Sequence, residues 1–221
     1  MIAAEISCDA WHGACSGHGY NEPMSGSDRV KPATPGVPTG LKLTYDDFVL
    51  FPDDGKRHEL IDGEHCVTPS PDIRHQQIQG DLFGLIWTYL EAHPIGRVFT
   101  ARLDVVFSKF DVVEPDVLYL SHDRANDVLT PANIQGAPDL VIEIGSPSTR
   151  QRDETIKRRL YERAGVPEYW VVDPDTEVVR VYRRDHGDFG RPIELSREAG
   201  DVLTTSLLPG LELPLARIFR E

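Results

Sequence analysis

Apolar residues recur at helical spacing across 72–92, where Ile78, Leu82, Leu85, Ile86, Tyr89 and Leu90 fall on one face. This predicts a long helix, ended by Pro94 and Gly96. Upstream, Thr44 is positioned to cap a short helix over 45–51, stopped by Pro52. Residues 57–61 and 64–67 flank Asp62-Gly63, the turn signal of a β-hairpin. Downstream, 98–107 alternates in part and places Leu103, Val105 and Phe107 on one face of a strand. A strand over 115–120 follows, then a loop over 121–136. Residues 138–145 are almost continuously apolar, the pattern of a strand covered on both faces. A second helix is predicted over 153–164, with Ile156, Leu160 and Tyr161 inward and Gly165 at its C′ position. Strands over 168–172 and 177–183 come next, joined at 173–176, and weaker ones lie near 192–195 and 207–213. The fold class read from this order is α/β (α+β): a mixed β-sheet flanked by helices.

Residues 1–40 break the pattern. They are rich in Gly, Ser, Pro and Asn and have no apolar period, so they read as a flexible N-terminal tail preceding a domain over 41–221. Cys8, His12, Cys15 and His18 lie in this stretch, but their spacing does not match the paired patterns of zinc sites. The three cysteines are odd in number, which argues against a disulfide framework. No run of about 18 apolar residues is present, so no membrane span is expected. The first ten residues lack a basic, then apolar, signal-peptide pattern. The expected location is cytoplasmic. A net charge of −13 argues against a tight, non-specific DNA binder, since phosphate backbones repel such a surface. It does not argue against an enzyme whose carboxylates gather at a metal.

Glu143 is the most informative residue. It interrupts the most apolar strand, and a buried carboxylate is paired, protonated or metal-bound. Asp116 opens the preceding apolar run; on adjacent strands the two could share one Mg²⁺ or Mn²⁺ ion. Lys157, one turn into the next helix, could point back to stabilise a pentavalent transition state or help deprotonate the attacking water. The alternative is an exposed helix residue paired with Glu154 three positions before it. His75, near a helix start, could contact a phosphate or cap the chain. Ser146 and Thr149 could cap the next helix or bond substrate. Asp139 is four residues from Glu143 on one strand, too far to share its metal, and reads as structural. Arg150, Arg152, Arg158, Arg159 and Arg163 form the main basic cluster, a candidate DNA-phosphate surface or a solvated helix face. Trp170 and Tyr169 read as core or oligomer contacts.

At these residues the chain resembles the PD-(D/E)XK nuclease superfamily, and within it the Uma-two family of restriction-endonuclease-like proteins. The resemblance rests on Glu59-Leu-Ile-Asp-Gly-Glu64, Ser70-Pro71, His75 and Pro115-Asp116. Its densest part runs from Pro138-Asp-Leu-Val-Ile-Glu-Ile-Gly-Ser-Pro-Ser-Thr149 through Asp153, Lys157 and Tyr161 to Ala164-Gly-Val-Pro-Glu-Tyr-Trp-Val-Val-Asp-Pro174. The resemblance implies a restriction-endonuclease-like fold and a metal-dependent endodeoxyribonuclease, with Asp116 and Glu143 as metal-binding acids. Position 145, where the superfamily carries Lys, is Gly here; the family resembled moves that lysine to the following helix, which Lys157 matches. Glu59 matches an upstream acid that helps hold metal, although in a hairpin it could be a solvated strand residue. DNA is the expected partner, with Arg150, Arg152 and His75 as its contacts, and a homodimer would let two sites meet two strands. Two other classes stay open: a non-catalytic interaction scaffold that keeps the fold, and a metal-dependent hydrolase of RNA or a small phosphodiester.

Overall fold

The structure is a computed structural model that describes residues 41–68, 70–145 and 153–220. The expected tail with its Cys and His residues, Ser146, Thr149, Arg150 and Arg152 lie outside the described residues.

Helix α1 (Tyr45–Phe48) begins at Thr44, whose backbone N and Oγ1 both donate to Asp47 Oδ2. The hairpin follows as β1 (Arg57–Ile61) and β2 (Glu64–Thr68), closed where Ile61 meets Glu64. Asp62 and Gly63 both take positive φ, 54° and 75°, as the two-residue turn requires. A side chain at position 63 would also collide with Lys42, because its Cβ would lie 2.6 Å from Lys42 Cβ.

Helix α2 (Ile73–Ala92) is capped by Asp72, whose side chain accepts the His75 amide at 2.8 Å. Ile78, Leu82, Ile86 and Leu90 are buried, as the periodicity predicts. Each such burial contributes about 1.5–3 kcal/mol.

The larger sheet takes β3 (Gly96–Thr100), β6 (Val117–Ser121), β8 (Leu140–Ile144), β9 (Glu168–Asp173), β10 (Val178–Asp185) and β11 (Asp188–Phe189) in spatial order 11-10-9-8-6-3, with β12 (Ile193–Ser196) also on β10. Strands β8 and β9 are parallel and the other pairs antiparallel. A parallel pair needs a crossover. Here it includes a π-helical turn, Asp153–Lys157, running directly into α4 (Arg158–Ala164). Gly165 ends α4 in the left-handed conformation, φ 85°. The smaller sheet has the order 2-1-5-4-7, with β4 (Val105–Ser108), β5 (Asp111–Val113) and β7 (Ile134–Gln135). The chain closes with β13 (Val202–Leu203), β14 (Leu213–Pro214) and α5 (Leu215–Ile218).

Strand alternation divides the interior into two cores. Val117, Tyr119, Leu140, Ile142, Ile144 and Trp170 pack with α2 and the C-terminal segment. Leu118, Leu120, Val141, Tyr169 and Val171 face the other way, toward Leu160, Tyr161 and residues of the smaller sheet. By this parity Glu143 lies on the α4 side. Trp170 is wholly buried and its Nε1 donates to Glu168, a core role as expected.

Three expectations need revision. The run 98–107 is two strands in different sheets, because the chain leaves the larger sheet after Thr100 and joins the smaller at Val105. The loop over 121–136 contains α3 (His122–Val128), capped by Ser121, and β7. Ile156 is 49% exposed, while Asp153, Lys157, Leu160 and Tyr161 are buried. The inward face of this crossover is polar at its start because it meets Glu143 there.

Candidate active site

The β6–β8 register pairs Val117 with Ile142; continuing it by one residue sets Asp116 opposite Glu143. Like charges placed so are unfavourable without a cation. Both are nearly inaccessible, at 1% and 2% exposure, as are Lys157 at 2% and Glu59 at 0%. The sequence-predicted acids and lysine therefore converge in one buried cluster.

Asp116 is held from three directions. Its Oδ1 accepts Arg57 Nη1 at 2.8 Å, and its Oδ2 accepts the Ile144 amide at 2.8 Å. The same Oδ2 lies 3.1 Å from His75 Nε2. Gln79 Nε2 donates to the Asp116 carbonyl at 2.7 Å. Burial alone would raise the Asp116 carboxyl, but the His75 bond, the Arg57 charge and the Ile144 amide outweigh it and lower it to about 2. Asp116 is thus ionised at neutral pH.

Glu143 is bound differently. Its Oε1 accepts Lys157 Nζ at 2.9 Å and Tyr161 Oη at 2.5 Å. Lys157 and Tyr161 are one helical turn apart, so both reach one oxygen. Burial, joined by the charges of Asp116, Asp153 and Glu59, raises the Glu143 carboxyl to about 8 despite Lys157. Lys157 also meets Glu59 Oε1 at 2.8 Å, and Glu59 Oε1 accepts the Glu114 amide at 3.2 Å. Burial would lower the Lys157 ammonium, but Glu143, Glu59 and Asp153 raise it above the usual lysine range. Lys157 is therefore a fixed cation and a donor, and its geometry excludes the exposed pairing with Glu154, which joins Arg180 instead at 2.8 Å.

Glu59 is not solvated: it is wholly buried, and Lys157 bridges it to Glu143. His75 contacts Asp116 rather than standing free for a phosphate. Asp139 is structural: it accepts the Ser121 amide at 2.7 Å and lies 3.5 Å from Arg124. Two members of the basic cluster are engaged within the chain, since Arg163 bonds Asp111 and Arg158 lies over the Tyr182 ring.

Arg57 and Tyr161 are site residues that motif reading missed in these roles. Arg57 precedes Glu59 by two positions on β1 and so shares its face. Tyr161 follows Lys157 by four on a helix face. Both spacings were present in the sequence.

The donor set suits a hard divalent cation. Carboxylate oxygens match Mg²⁺ or Mn²⁺, and the buried carboxylates Glu59, Asp116 and Glu143 outnumber the cations Arg57 and Lys157. Among the described residues no group of three or more His, Cys, Asp or Glu is arranged to hold an ion. Mg²⁺ needs only one or two protein carboxylates, with water and substrate phosphate supplying the rest. Among the described residues no helix is long and apolar enough to cross a membrane.

No curated protein sequence matches the chain. Its fold is similar to the crystal structure of a "putative nuclease belonging to DUF820" from Anabaena variabilis, with a TM-score of 0.68 and 25% sequence identity over 80% of this chain and 97% of that one. Residues 45–216 match the Uma2 family, described as "Putative restriction endonuclease". That span contains Glu59, Asp116, Glu143 and Lys157, and the chain belongs to the Uma2 family.

Proposed function

We propose that this protein is a cytoplasmic, Mg²⁺- or Mn²⁺-dependent endodeoxyribonuclease that acts as a homodimer. The observation that carries the reading is the facing pair Asp116 and Glu143, with Lys157 held on Glu143. Asp116 and Glu143 would hold the metal, which when bound supplies an activated water and a clamp on the scissile phosphate.

The chain's own residues divide the remaining work. Arg57, His75 and the Ile144 amide keep Asp116 ionised and oriented. Tyr161 and Lys157 fix Glu143 through Oε1. Because Lys157 stays protonated, it serves as an electrostatic stabiliser of the charge gathering on phosphate oxygens rather than as a base. Glu59 positions Lys157. Of the basic cluster, Arg159 is exposed and remains available to a phosphate backbone, and Arg150 and Arg152 retain that role as proposals. A two-fold dimer would present one such site to each strand of a duplex.

The internal pairing of Asp116, Glu143 and Glu59 with Arg57 or Lys157 also supports a second reading, a non-catalytic scaffold that keeps the fold. Plasmid nicking with Mg²⁺ or Mn²⁺ separates the two. Wild type is expected to cut, and Asp116→Ala and Glu143→Ala to lose cutting. Folded wild type that cuts neither DNA, RNA nor a small phosphodiester under either metal would favour the scaffold.

A further inference from the structure

Beside the acid cluster lies a cleft of about 280 Å³ lined by Arg57, Thr68, Ser70, Gln76, Gln79 and Arg102. Two of these residues connect it directly to Asp116. Arg57 donates to the Asp116 carboxylate and Gln79 to its carbonyl. The cleft is therefore continuous with the site, although its lining includes neither Asp116 nor Glu143.

Its chemistry is one-sided. Arginine has donors only, glutamine amides and hydroxyls can donate, and no Asp or Glu lines the cleft among the described residues. In a chain of net charge −13 this is an unusual local environment. Clefts lined by one sign of charge focus the field and concentrate the opposite ion.

Arg102 is built into place rather than loosely exposed. Its Nη2 donates to the Lys56 carbonyl at 2.7 Å, although its side chain is 52% exposed. Arg57 is already paired with Asp116 at 2.8 Å, and the acid shared by Arg57 and Arg102 is Glu114 behind the lining, whose Oε2 lies 3.9 Å from both Arg57 Nε and Arg102 Nε. That buried oxygen has no hydrogen-bond partner among the described residues. That contact is too long for a charge-assisted bond, so Glu114 neutralises Arg102 only weakly.

Resting on the nuclease reading above, we infer that this cleft is a phosphate subsite, in which Arg102 grips the phosphodiester group next to the scissile one along a nucleic-acid strand. Arg57 joins the two positions, with one face toward Asp116 and another toward the cleft. A guanidinium matches a phosphate's paired oxygens, which a lysine ammonium contacts only as a point charge. The ligand class is a nucleotide chain with at least one phosphate beyond the cleaved one.

The test uses the full chain without metal, so that nothing is cleaved. Thymidine 3′,5′-bisphosphate is titrated calorimetrically into wild type, Arg102→Gln and Arg102→Lys, with circular dichroism melts to verify folding. Arg102→Gln is expected to weaken binding roughly 10-fold or more, as loss of one charge-assisted contact implies, and Arg102→Lys to fall between. Binding of a duplex across a salt series should lose about 0.9 from its log–log slope in Arg102→Gln, one phosphate contact. Wild type that ignores the bisphosphate, or an Arg102→Gln variant with unchanged affinity and slope, overturns the subsite. Arg102-dependent bisphosphate binding in a protein that cuts nothing would retain the subsite and remove the nuclease reading instead.

Discussion

Replacing Lys157 with Met keeps the length of the side chain and removes its charge. The lysine is 2% exposed and bridges Glu59 at 2.8 Å and Glu143 at 2.9 Å. The variant leaves two buried carboxylates without their cation. Breaking a buried ion pair from one side costs about 3–5 kcal/mol, most of it from the charge left behind. For a domain of this size that lowers Tm by about 6–20 °C. The sign with pH follows from the carboxylates. Lys157 is raised above its ordinary value of 10.5, so in wild type its contribution is present below that value and is lost only at still higher pH. In the variant, a proton can replace the lost cation on Glu143. The deficit should therefore be smallest near pH 5 and largest near pH 8.5. Urea unfolding by circular dichroism across that range measures it. Adding Glu143→Gln to the variant should recover much of the loss, because a neutral amide needs no counter-ion. A variant within about 0.5 kcal/mol of wild type at pH 8.5, where surface substitutions fall, would refute Lys157 as the counter-ion of the cluster.

Metal-free wild type should lose stability at both ends of the pH scale. Asp116, lowered from 3.8 to about 2, contributes stability above pH 3.8 that is lost as pH falls toward 2. Glu143, raised from 4.5 to about 8, contributes stability below pH 4.5 that is lost as pH rises toward 8. The slope between approaches about 1.4 kcal/mol per pH unit. Glu143→Gln should flatten it; a wild-type profile already flat from pH 5 to 8 contradicts this. Saturating Mg²⁺ or Mn²⁺ should raise Tm, by the equivalent of about 2.7 kcal/mol at 100 times the dissociation constant. The shift should be larger at pH 8 than at pH 6, because proton and metal compete at Glu143. Scanning fluorimetry of Asp116→Asn checks it, since a metal shift that survives that change would place the ion elsewhere.

Much of this was legible in the residues because local patterns encode local geometry. The Asp62-Gly63 turn, the apolar face of α2 and the apolar run of β8 each depend on contacts within a few residues. Glu143 stood out because a carboxylate inside such a strand demands a partner. The matching motifs around Asp116, Glu143 and Lys157 pointed to one family, and residues 45–216 match it.

What the sequence determined by itself was therefore most of the elements and the choice of two acids and a lysine as candidates. What the tertiary structure decided was which groups neutralise them. Arg57 reaches Asp116 from 59 positions away, and Glu59 on the smaller sheet meets Lys157 in the crossover between β8 and β9. Strand register and the placement of the crossover set these encounters, which leave no period in the chain. The division of 98–107 between two sheets and the outward turn of Ile156 have the same origin. A strand pattern marks which face is buried, but not against which partner. That choice belongs to packing, where burying Glu143 required Lys157 and Tyr161 to face inward.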